Sequence, residues 1–160
     1  MTELFTRFDG RIDRKTWWIG VVILFVALVI VSVILGFLFG DGLIGRLLVM
    51  LLGLAALWPA AALAVKRLHD RGRPALPRVA LFFGPGMIVN FLNTFNIGYR
   101  PMRIPGGDVV MAPGLVVSAL SLAALAAFVW ALVELGFLKG DEGPNAYGPP
   151  SGEGPGQGPV

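Results

Sequence analysis

Residues 17–39 contain no charged side chain, and this apolar run constrains the fold more than any other feature of the chain. At about 1.5 Å per residue, a helix over the run spans roughly 34 Å, which is enough to cross the hydrocarbon layer of a bilayer. Bulky residues continue to its end, whereas a cleaved secretory signal has a shorter apolar region and a small-residue cleavage site. The run is therefore predicted to be a retained transmembrane helix.

Three further apolar runs follow, over residues 43–65, 76–95 and 115–133. Together the four runs predict an all-α integral membrane protein whose transmembrane domain, residues 17–139, is a bundle of four helices. The composition agrees with this class, because 56% of the residues are hydrophobic and only 14% are charged. Soluble domains usually carry about a quarter charged residues.

The third apolar run contains Gly84, Pro85 and Gly86 near its middle, and we expect these residues to break the helix. Where a helix is interrupted inside the membrane, its backbone groups need polar partners from the protein or from a water-filled cavity. In many transporters such interrupted helices form the substrate site. A small transporter or channel component is therefore the alternative function. A kink packed against neighbouring helices is the simpler explanation, since no second break pairs with this one.

The basic residues are distributed unevenly along the chain. With four crossings, ten of the thirteen Lys and Arg fall on one side, in the N-terminal segment 1–16, in and beside the loop 66–75, and at Lys139. Only Arg46, Arg100 and Arg103 fall on the other side. The positive-inside rule then places both termini and the loop 66–75 in the cytoplasm.

Two segments outside the apolar runs are rich in Gly and Pro. Residues 96–114 are expected to form an ordered or semi-ordered loop outside the membrane. The tail, residues 140–160, is expected to be largely disordered, because it combines little apolar material with many helix breakers.

Several single residues have predicted roles at the membrane boundary. Asp13 is a plausible N-cap for the first helix, and Trp17 and Trp18 are expected to anchor that helix at the headgroup level. Glu134 ends the fourth apolar run close to the edge of the membrane. An interfacial ion pair, with a base of the central loop as one partner, explains it better than a proton relay does.

Three polar motifs fall on the side assigned to the cytoplasm. They are Phe8-Asp9-Gly10-Arg11-Ile12-Asp13-Arg14-Lys15-Thr16-Trp17-Trp18, Lys66-Arg67-Leu68-His69-Asp70-Arg71-Gly72-Arg73 and Gly143-Pro144-Asn145-Ala146-Tyr147-Gly148-Pro149. Together they resemble the DUF805 family of bacterial inner-membrane proteins, whose members show F-x-G-R-x-x-R-x-x-[FW]-W, R-L-H-D-x-G-R and G-x-N-x-Y-G in this order. The resemblance covers nearly the whole chain and departs after Arg73, where the family often continues Ser-Gly-Trp. It implies architecture and an inner-membrane location, but no reaction.

The motifs also suggest a binding site for an anion. If the second helix continues into the central motif, Arg67 and Arg71 repel each other across one turn. A carboxylate of the protein or a phosphate would relieve that repulsion. The candidate anion site consists of Arg11, Arg14, Arg67, His69 and Arg71. The expected structural polar cluster around it consists of Asp13, Asp70, Glu134, Asn145 and Tyr147.

The leading hypothesis is a structural or interaction membrane protein, whose polar cytoplasmic face binds anionic lipid headgroups or another phosphate-bearing ligand. An equally weighted explanation is that the cluster only fixes topology and helix packing. A lone histidine beside an aspartate, as His69 is beside Asp70, more often forms a structural hydrogen-bonded pair than acts as a catalyst. The alanine faces of the second and fourth helices could also serve contacts with a second copy or another membrane protein.

Enzymatic chemistry is not expected. The chain has no cysteine and one histidine, which is a poor ligand set for a metal, and no phosphate-binding or nucleophile motif is present. No cofactor is therefore predicted. Nucleic acid is not an expected partner either, because the basic residues lie next to the membrane and have a topological explanation.

Overall fold

Five α-helices and one β-hairpin make up residues 2–151, the part of the chain that the computed structural model describes. The elements are α1 (Thr2–Thr6), α2 (Arg14–Phe39), α3 (Leu43–Asp70), α4 (Arg78–Thr94), β1 (Tyr99–Arg103), β2 (Val109–Pro113) and α5 (Leu115–Leu132). A π-helical turn, Val133–Phe137, continues α5 without interruption.

Three helices are long and apolar enough to cross a membrane, by length and composition: Arg14–Phe39, Leu43–Asp70 and Leu115–Phe137. Large apolar side chains on them remain exposed, for example Phe37 at 89% and Leu115 at 87%. A soluble protein of this size rarely exposes so much contiguous apolar surface, whereas the interior of a bilayer would cover it. These helices identify an integral membrane protein.

Helix α4 is continuous through Gly84, Pro85 and Gly86, so the expected break in the third helix is wrong. Proline normally disfavours helical backbone in the preceding residue because its ring meets that residue's Cβ. The preceding residue here is Gly84, which has no Cβ, so this clash with the ring of Pro85 is absent. The missing N–H of Pro85 leaves one carbonyl without its helical partner, but it does not end the helix.

The segment between α4 and α5 contains a two-stranded antiparallel sheet, so the prediction of an all-α chain is corrected here. Strand β1 pairs with β2 in a register that runs from Tyr99 opposite Pro113 to Arg103 opposite Val109. Pro101 is compatible with β1 because both strands of a two-stranded sheet are edges, where a missing donor can face outward. Gly106 and Gly107, with φ of 113° and 94°, make the turn that joins the strands.

Helices that follow one another in the chain pack side by side: α2 on α3, α3 on α4, and α4 on α5. The turn between α2 and α3 is tight, because a Cβ at Gly45 would lie 2.1 Å from the carbonyl oxygen of Gly40. The buried apolar core lies toward one end of these helices. Its members include Ile12, Trp17, Leu63, Ala64, Leu68, Phe82, Ala131 and Leu135.

The largest differences from the predicted boundaries lie in the central loop and in the tail. Helix α3 continues to Asp70, so only the second half of the expected loop 66–75 is non-helical. The helix stops because Gly72, with φ of 61°, takes the left-handed conformation that commonly follows a helix. Residues 140–151 of the expected disordered tail are folded against the end of α3, while residues 152–160 lie outside the described part of the chain.

Candidate functional site: a polar cluster at one end of the helices

The three polar motifs meet at the end of the helices that carries the core. The start of α2, the end of α3 and the segment after α5 are joined there by hydrogen bonds between side chains and carbonyl groups. We call the central residues of this region the polar cluster: Arg11, Arg67, Asp70, Arg71, Glu134, Asp141 and Asn145.

Arg67 lies at the centre of the polar cluster and is 0% exposed. Its Nε donates to the carbonyl oxygen of Leu135 at 2.8 Å, and its Nη2 donates to that of Leu138 at 2.5 Å. Its Nη1 donates to the Asp70 carboxylate one helical turn later. All three nitrogens of the buried guanidinium therefore donate to groups of the protein itself.

The carbonyls of residues 134–138, at the end of α5, all accept hydrogen bonds from side chains of other helices. The donors are Arg71, Arg67, Trp18, Arg14 and again Arg67, in that order along the segment. The last carbonyls of a helix have no partner within the helix and carry its negative dipole end. Three arginines and one tryptophan thus satisfy this helix terminus, which explains why bases from α2 and α3 gather around it.

Asp70 is the acid that two buried arginines share. Its Oδ1 accepts from Arg11 Nε at 3.3 Å and from Ser151 Oγ at 3.0 Å, while its Oδ2 accepts from Arg67. The side chains of Asp70 and Arg11 are only 4% and 2% exposed. Because ions buried this deeply are costly unless paired, the three charged groups depend on one another.

Arg11 attaches the C-terminal segment to the helices. Its Nη1 donates to the carbonyls of Gly143 and Gly148 at 2.9 and 3.1 Å, and its Nη2 donates to that of Asp141 at 2.7 Å. One side chain from the N-terminal motif therefore satisfies three backbone groups of the tail. The fork of this arginine, like that of Arg67, is fully occupied by the protein.

Asn145 makes the reciprocal contact from the tail to α3. Its Nδ2 donates to the carbonyl of His69 and to the Asp141 carboxylate, each at 2.9 Å, and its Oδ1 accepts from the N–H of Tyr147 at 2.9 Å. The backbone N–H of Asp141 also donates to the carbonyl of Asp70 at 2.8 Å. Asparagine suits this position because its amide is both donor and acceptor.

His69 stacks on Tyr147, with ring centroids 3.8 Å apart and planes 8° from parallel. It is not hydrogen-bonded to Asp70, so the expected structural His–Asp pair is wrong; Asp70 is used by arginines instead. The buried Nδ1 of His69 has no hydrogen-bond partner among residues 2–151. The role of the histidine in this arrangement is to hold the aromatic ring of the tail.

Arg71 and Glu134 form an ion pair at the margin of the polar cluster, with 2.6 Å between Nη1 and Oε1. Each side chain is 13% exposed. The other carboxylate oxygen of Glu134 accepts from Trp130 Nε1 at 3.1 Å, and Arg78 lies 3.8 Å from the first. A basic partner from the central motif thus compensates the acid, and the repulsion expected between Arg67 and Arg71 is relieved by two separate carboxylates.

The two tryptophans at the start of α2 have different environments. Trp17 is 4% exposed and lies in the core, so the expectation that it faces the headgroups as an anchor is wrong. Trp18 is half-buried and donates from Nε1 to the carbonyl of Gly136 at 3.2 Å. Both rings pack over Gly136, where a Cβ would lie 2.8 Å from Trp18 and 3.0 Å from Trp17, so both make tight contact with the π-helical turn that follows α5.

The remaining site residues lie at the edge. Asp13 caps α2 by accepting from the N–H of Thr16 at 2.8 Å, and hydrogen bonding from Thr16 holds the pKa of its carboxyl below the usual range. Arg14 uses one nitrogen on the carbonyl of Phe137 and is otherwise exposed. Lys66 is buried and donates to carbonyls of α1, which attaches that short helix to α3.

The structure therefore brings the predicted site residues together, but most of their hydrogen-bonding groups are already used by the protein. Arg11, Arg67 and Arg71 are bound to carboxylates and carbonyls of the protein, whereas Lys15 and Arg73 are exposed and form no ion pair within residues 2–151. Among the same residues, no group of three acids, cysteines or histidines is placed to hold a metal ion. Chemically, the polar cluster is arranged to hold segments together.

Glycines in this site were missed by reasoning from the sequence. A Cβ at Gly140 would lie 1.9 Å from Asp70 Oδ2, and one at Gly72 would lie 2.7 Å from Asp141 Oδ2. Glycine at these positions lets the tail approach the end of α3 closely. The only sequence feature that indicates this close approach is a glycine beside a charged motif. That indication is weak, because the tail is rich in glycine.

Comparison with known proteins assigns the chain to a family. The family of proteins of unknown function called DUF805 matches residues 5–149, which include all three motifs, and the chain belongs to that family. It is 31% identical over 141 residues to the uncharacterized protein YiiR of Escherichia coli strain K12, covering 88% of this chain and 83% of that protein. YiiR of Escherichia coli O157:H7 matches to the same extent. No solved structure matches the chain significantly.

Proposed function

We propose that this is a structural or interaction protein of the bacterial inner membrane, which crosses the membrane four times with both termini in the cytoplasm. Its polar cluster locks the C-terminal segment onto the helix ends and so builds a folded platform at the membrane surface. Exposed bases around that platform contact anionic lipid headgroups. The observation that carries this proposal is that Arg67, at 0% exposure, bonds α3 to the segment after α5 through Nε and Nη2, while its Nη1 binds Asp70 on its own helix.

The positions of the helix ends support four crossings. The start of α2 is bonded to the end of α5 through Arg14 and Phe137, and the start of α4 meets that same end through Arg78 and Glu134. Helix α3 also ends there, at Asp70. Because α3 and α5 both finish at this end, the chain has to return to the opposite end between them, and α4 is the helix that makes this return.

The length of α4 is compatible with that role. Its 17 residues span roughly 25 Å at about 1.5 Å per residue. This is slightly shorter than the hydrocarbon layer of a typical bilayer, and a short span is accommodated by local thinning or by packing against longer helices. Helix α4 packs against both α3 and α5, which supplies such neighbours.

The orientation rests on the positive-inside rule. The end that holds the polar cluster carries ten of the thirteen bases, and the hairpin end carries Arg46, Arg100 and Arg103. An excess of this size supports a cytoplasmic position for the polar cluster. Membership of the family is compatible with a membrane protein, and it assigns no ligand and no reaction.

The bases that contact headgroups in this proposal are Lys15 and Arg73, which we call the rim bases. Both are exposed, both lie beside the polar cluster, and neither is paired within residues 2–151. Arg11 and Arg67 are excluded from this role because their forks are occupied. Each base near an anionic membrane surface contributes about 1 kcal/mol of attraction, so two give a measurable lipid preference.

The test is to measure how much phosphatidylglycerol, relative to phosphatidylethanolamine, purifies with the protein in mild detergent. A variant with Lys15→Gln and Arg73→Gln is expected to retain at least about fivefold less of the anionic lipid. The matched control carries Arg100→Gln and Arg103→Gln, which removes the same charge from the hairpin. A rim variant with the same lipid ratio as the wild-type protein would remove headgroup contact from the proposal.

The alternative of a transporter or channel component has no specific support. It depended on a break in the third helix, and α4 is continuous there. The proposal likewise includes no enzymatic activity and no cofactor, because the charged groups of the polar cluster are used to bind one another.

A further inference from the structure

A second polar site lies at the opposite end of the helices from the polar cluster. It is a pocket of about 260 Å³ bordered by the end of α2, the start of α3 and the end of α4. The polar side chains in its wall are Ser32, Asp41, Arg46, Asn90, Asn93 and Thr94. We call this site the far-end pocket.

Arg46 is the unusual residue of the far-end pocket. Its Nε is buried and has no hydrogen-bond partner among residues 2–151, and its guanidinium forms no ion pair within them. Asp41 borders the same pocket without pairing with it. An ionised side chain one turn inside a helix that enters a membrane is costly when unpaired, which makes it a candidate for function.

The other walls of the far-end pocket supply hydrogen-bond donors. Asn90 and Asn93 lie one turn apart on α4, and their side-chain amides are bonded to no residue of the described chain. Thr94 is different, because its hydroxyl already donates to the carbonyl of Asn90 at 2.9 Å. Helix α3 begins beside the pocket, and its N-cap, Gly42, offers no side-chain acceptor to the first turn. Unsatisfied N–H groups at such a terminus favour an anion.

The shape of the pocket is maintained by glycines. Gly36, Gly40 and Gly45 border it and place no side chain in the space. On the other side, Asn90 is held against α3, since its Nδ2 lies 3.0 Å from the position that a Cβ of Gly53 would take. The helices therefore approach closely around the pocket while its centre stays open.

We propose that the far-end pocket binds an oxyanion, a carboxylate or phosphate group, through the fork of Arg46 and the amides of Asn90 and Asn93. A planar guanidinium matches the paired oxygens of both groups, and amide donors complete the coordination. The bound group belongs either to a soluble anion on the hairpin side or to the headgroup of a phospholipid. This site is separate from the polar cluster and does not depend on the proposed function.

Asp41 is the competing counter-ion. It sits in the short turn Gly40–Gly42 between α2 and α3 and borders the same pocket as Arg46. If Asp41 were the natural partner, Asp41→Asn would weaken the fold and no external anion would bind. If an external anion is the partner, removing this negative charge should leave its binding unchanged or strengthen it.

The experiment uses the full chain in detergent with three probes: inorganic phosphate and acetate, measured by calorimetry, and phosphatidylglycerol, measured by native mass spectrometry of protein reconstituted with the lipid. Wild-type protein should bind at least one probe, and Arg46→Gln should weaken that binding about tenfold or more, as expected for loss of a charged hydrogen-bonded partner. Arg103→Gln, which removes a base from the exposed hairpin, should leave it unchanged. Binding of phosphate or acetate identifies a soluble anion, and retention of lipid alone identifies a headgroup.

Two results would overturn the proposal: wild-type protein that binds none of the probes, or Arg46→Gln binding as the wild-type protein does. Should Arg46→Gln fail to fold, Arg46→Lys keeps the charge while removing the fork, and Asn90→Leu with Asn93→Leu removes the amides. Each should weaken binding several-fold in protein that elutes as a single folded species. Unchanged binding in both would equally contradict the site.

Discussion

Nε of Arg67 lies 2.8 Å from the carbonyl oxygen of Leu135, in the π-helical turn that ends α5. This bond joins a buried charge on one helix to an otherwise unpartnered carbonyl on another. Because the same side chain also binds Leu138 and Asp70, it holds two carbonyls of the segment after α5 and the acid of its own helix at once. Charged residues of the central motif therefore act as structural parts of the helix packing.

Replacing Arg67 with lysine should destabilise the protein although the charge is kept. A lysine cannot reproduce three bonds from a planar fork, and a buried carboxylate with a poorly placed partner costs about 3 kcal/mol or more. Thermal unfolding in detergent is the measurement. Arg73→Lys, at an exposed position, is the matched control and should unfold like the wild type; equal stability of both variants would contradict the central role of Arg67.

Gly140→Ala tests the close approach of the tail. The added methyl would lie 1.9 Å from Asp70 Oδ2, so the segment after α5 has to move away from the shared carboxylate. We expect a lower melting temperature and faster proteolysis of residues 140–151. At Gly143 a Cβ would meet nothing within 4 Å, so Gly143→Ala should behave like the wild type. Similar proteolysis of the two variants would argue against the contact.

Asp70→Asn should separate the two buried arginines from their common acid. Uncompensated buried charge costs about 3–5 kcal/mol when one partner of a pair is removed. The exposed control is Asp9→Asn, which breaks a surface pair with Arg7 and should change stability little. Unfolding monitored by tryptophan fluorescence is suitable because Trp17 lies in the adjacent core. An Asp70→Asn protein as stable as the Asp9→Asn protein would be incompatible with the shared acid.

Asp13 provides a prediction of pH dependence. Its pKa is lowered in the folded protein by hydrogen bonding from Thr16. Its contribution to the free energy of unfolding is therefore fully present above the ordinary pKa of an aspartate, and it is lost as the pH falls through the lower pKa of the folded state. Asp13→Ala should cost about 1 kcal/mol at neutral pH. Asp13→Asn keeps a cap without the charge and should remove only the acid dependence. The measurement is the melting temperature as a function of pH.

The stacked rings of His69 and Tyr147 give a further test of how the tail is held. Tyr147→Phe keeps the ring and should leave the tail protected from protease, while Tyr147→Ala should expose it. Stacked aromatic pairs contribute about 0.5–1.5 kcal/mol beyond their buried area, so a change of several-fold in the cleavage rate is expected. Equal cleavage of the two variants would show that the stack is not what retains the segment.

Features that depend on neighbouring residues were predicted from the sequence better than contacts between residues far apart in the chain. The uncharged run 17–39 predicted α2 well because the chain must satisfy its own backbone in a membrane. The continuity of α4 was missed because the effect of Pro85 depends on the residue before it. The predicted topology put the three motifs on one side of the membrane, but it could not give the contacts among residues 11, 70 and 145, because these are far apart in the chain.

The partners within the site were harder to predict. The spacing of the central motif did not indicate that Lys66 binds carbonyls of α1 or that Asp70 binds two arginines. The carbonyls at the end of α5 could not be recognised as acceptors from the sequence, because every residue has a backbone carbonyl. Similarly, the residues that border the far-end pocket together with Arg46 come from three different helices, so the pocket could not be assembled from the order of residues alone.

The most direct test of the central claim is to locate single cysteines across the membrane in intact cells, since the natural chain contains none. The two positions are Ser151, which contacts the polar cluster, and Asp108, in the hairpin. The account predicts that a membrane-impermeant thiol reagent labels Asp108→Cys from outside, and labels Ser151→Cys only in inverted vesicles or permeabilised cells. Labelling of both cysteines from the same side would contradict four crossings with a cytoplasmic platform.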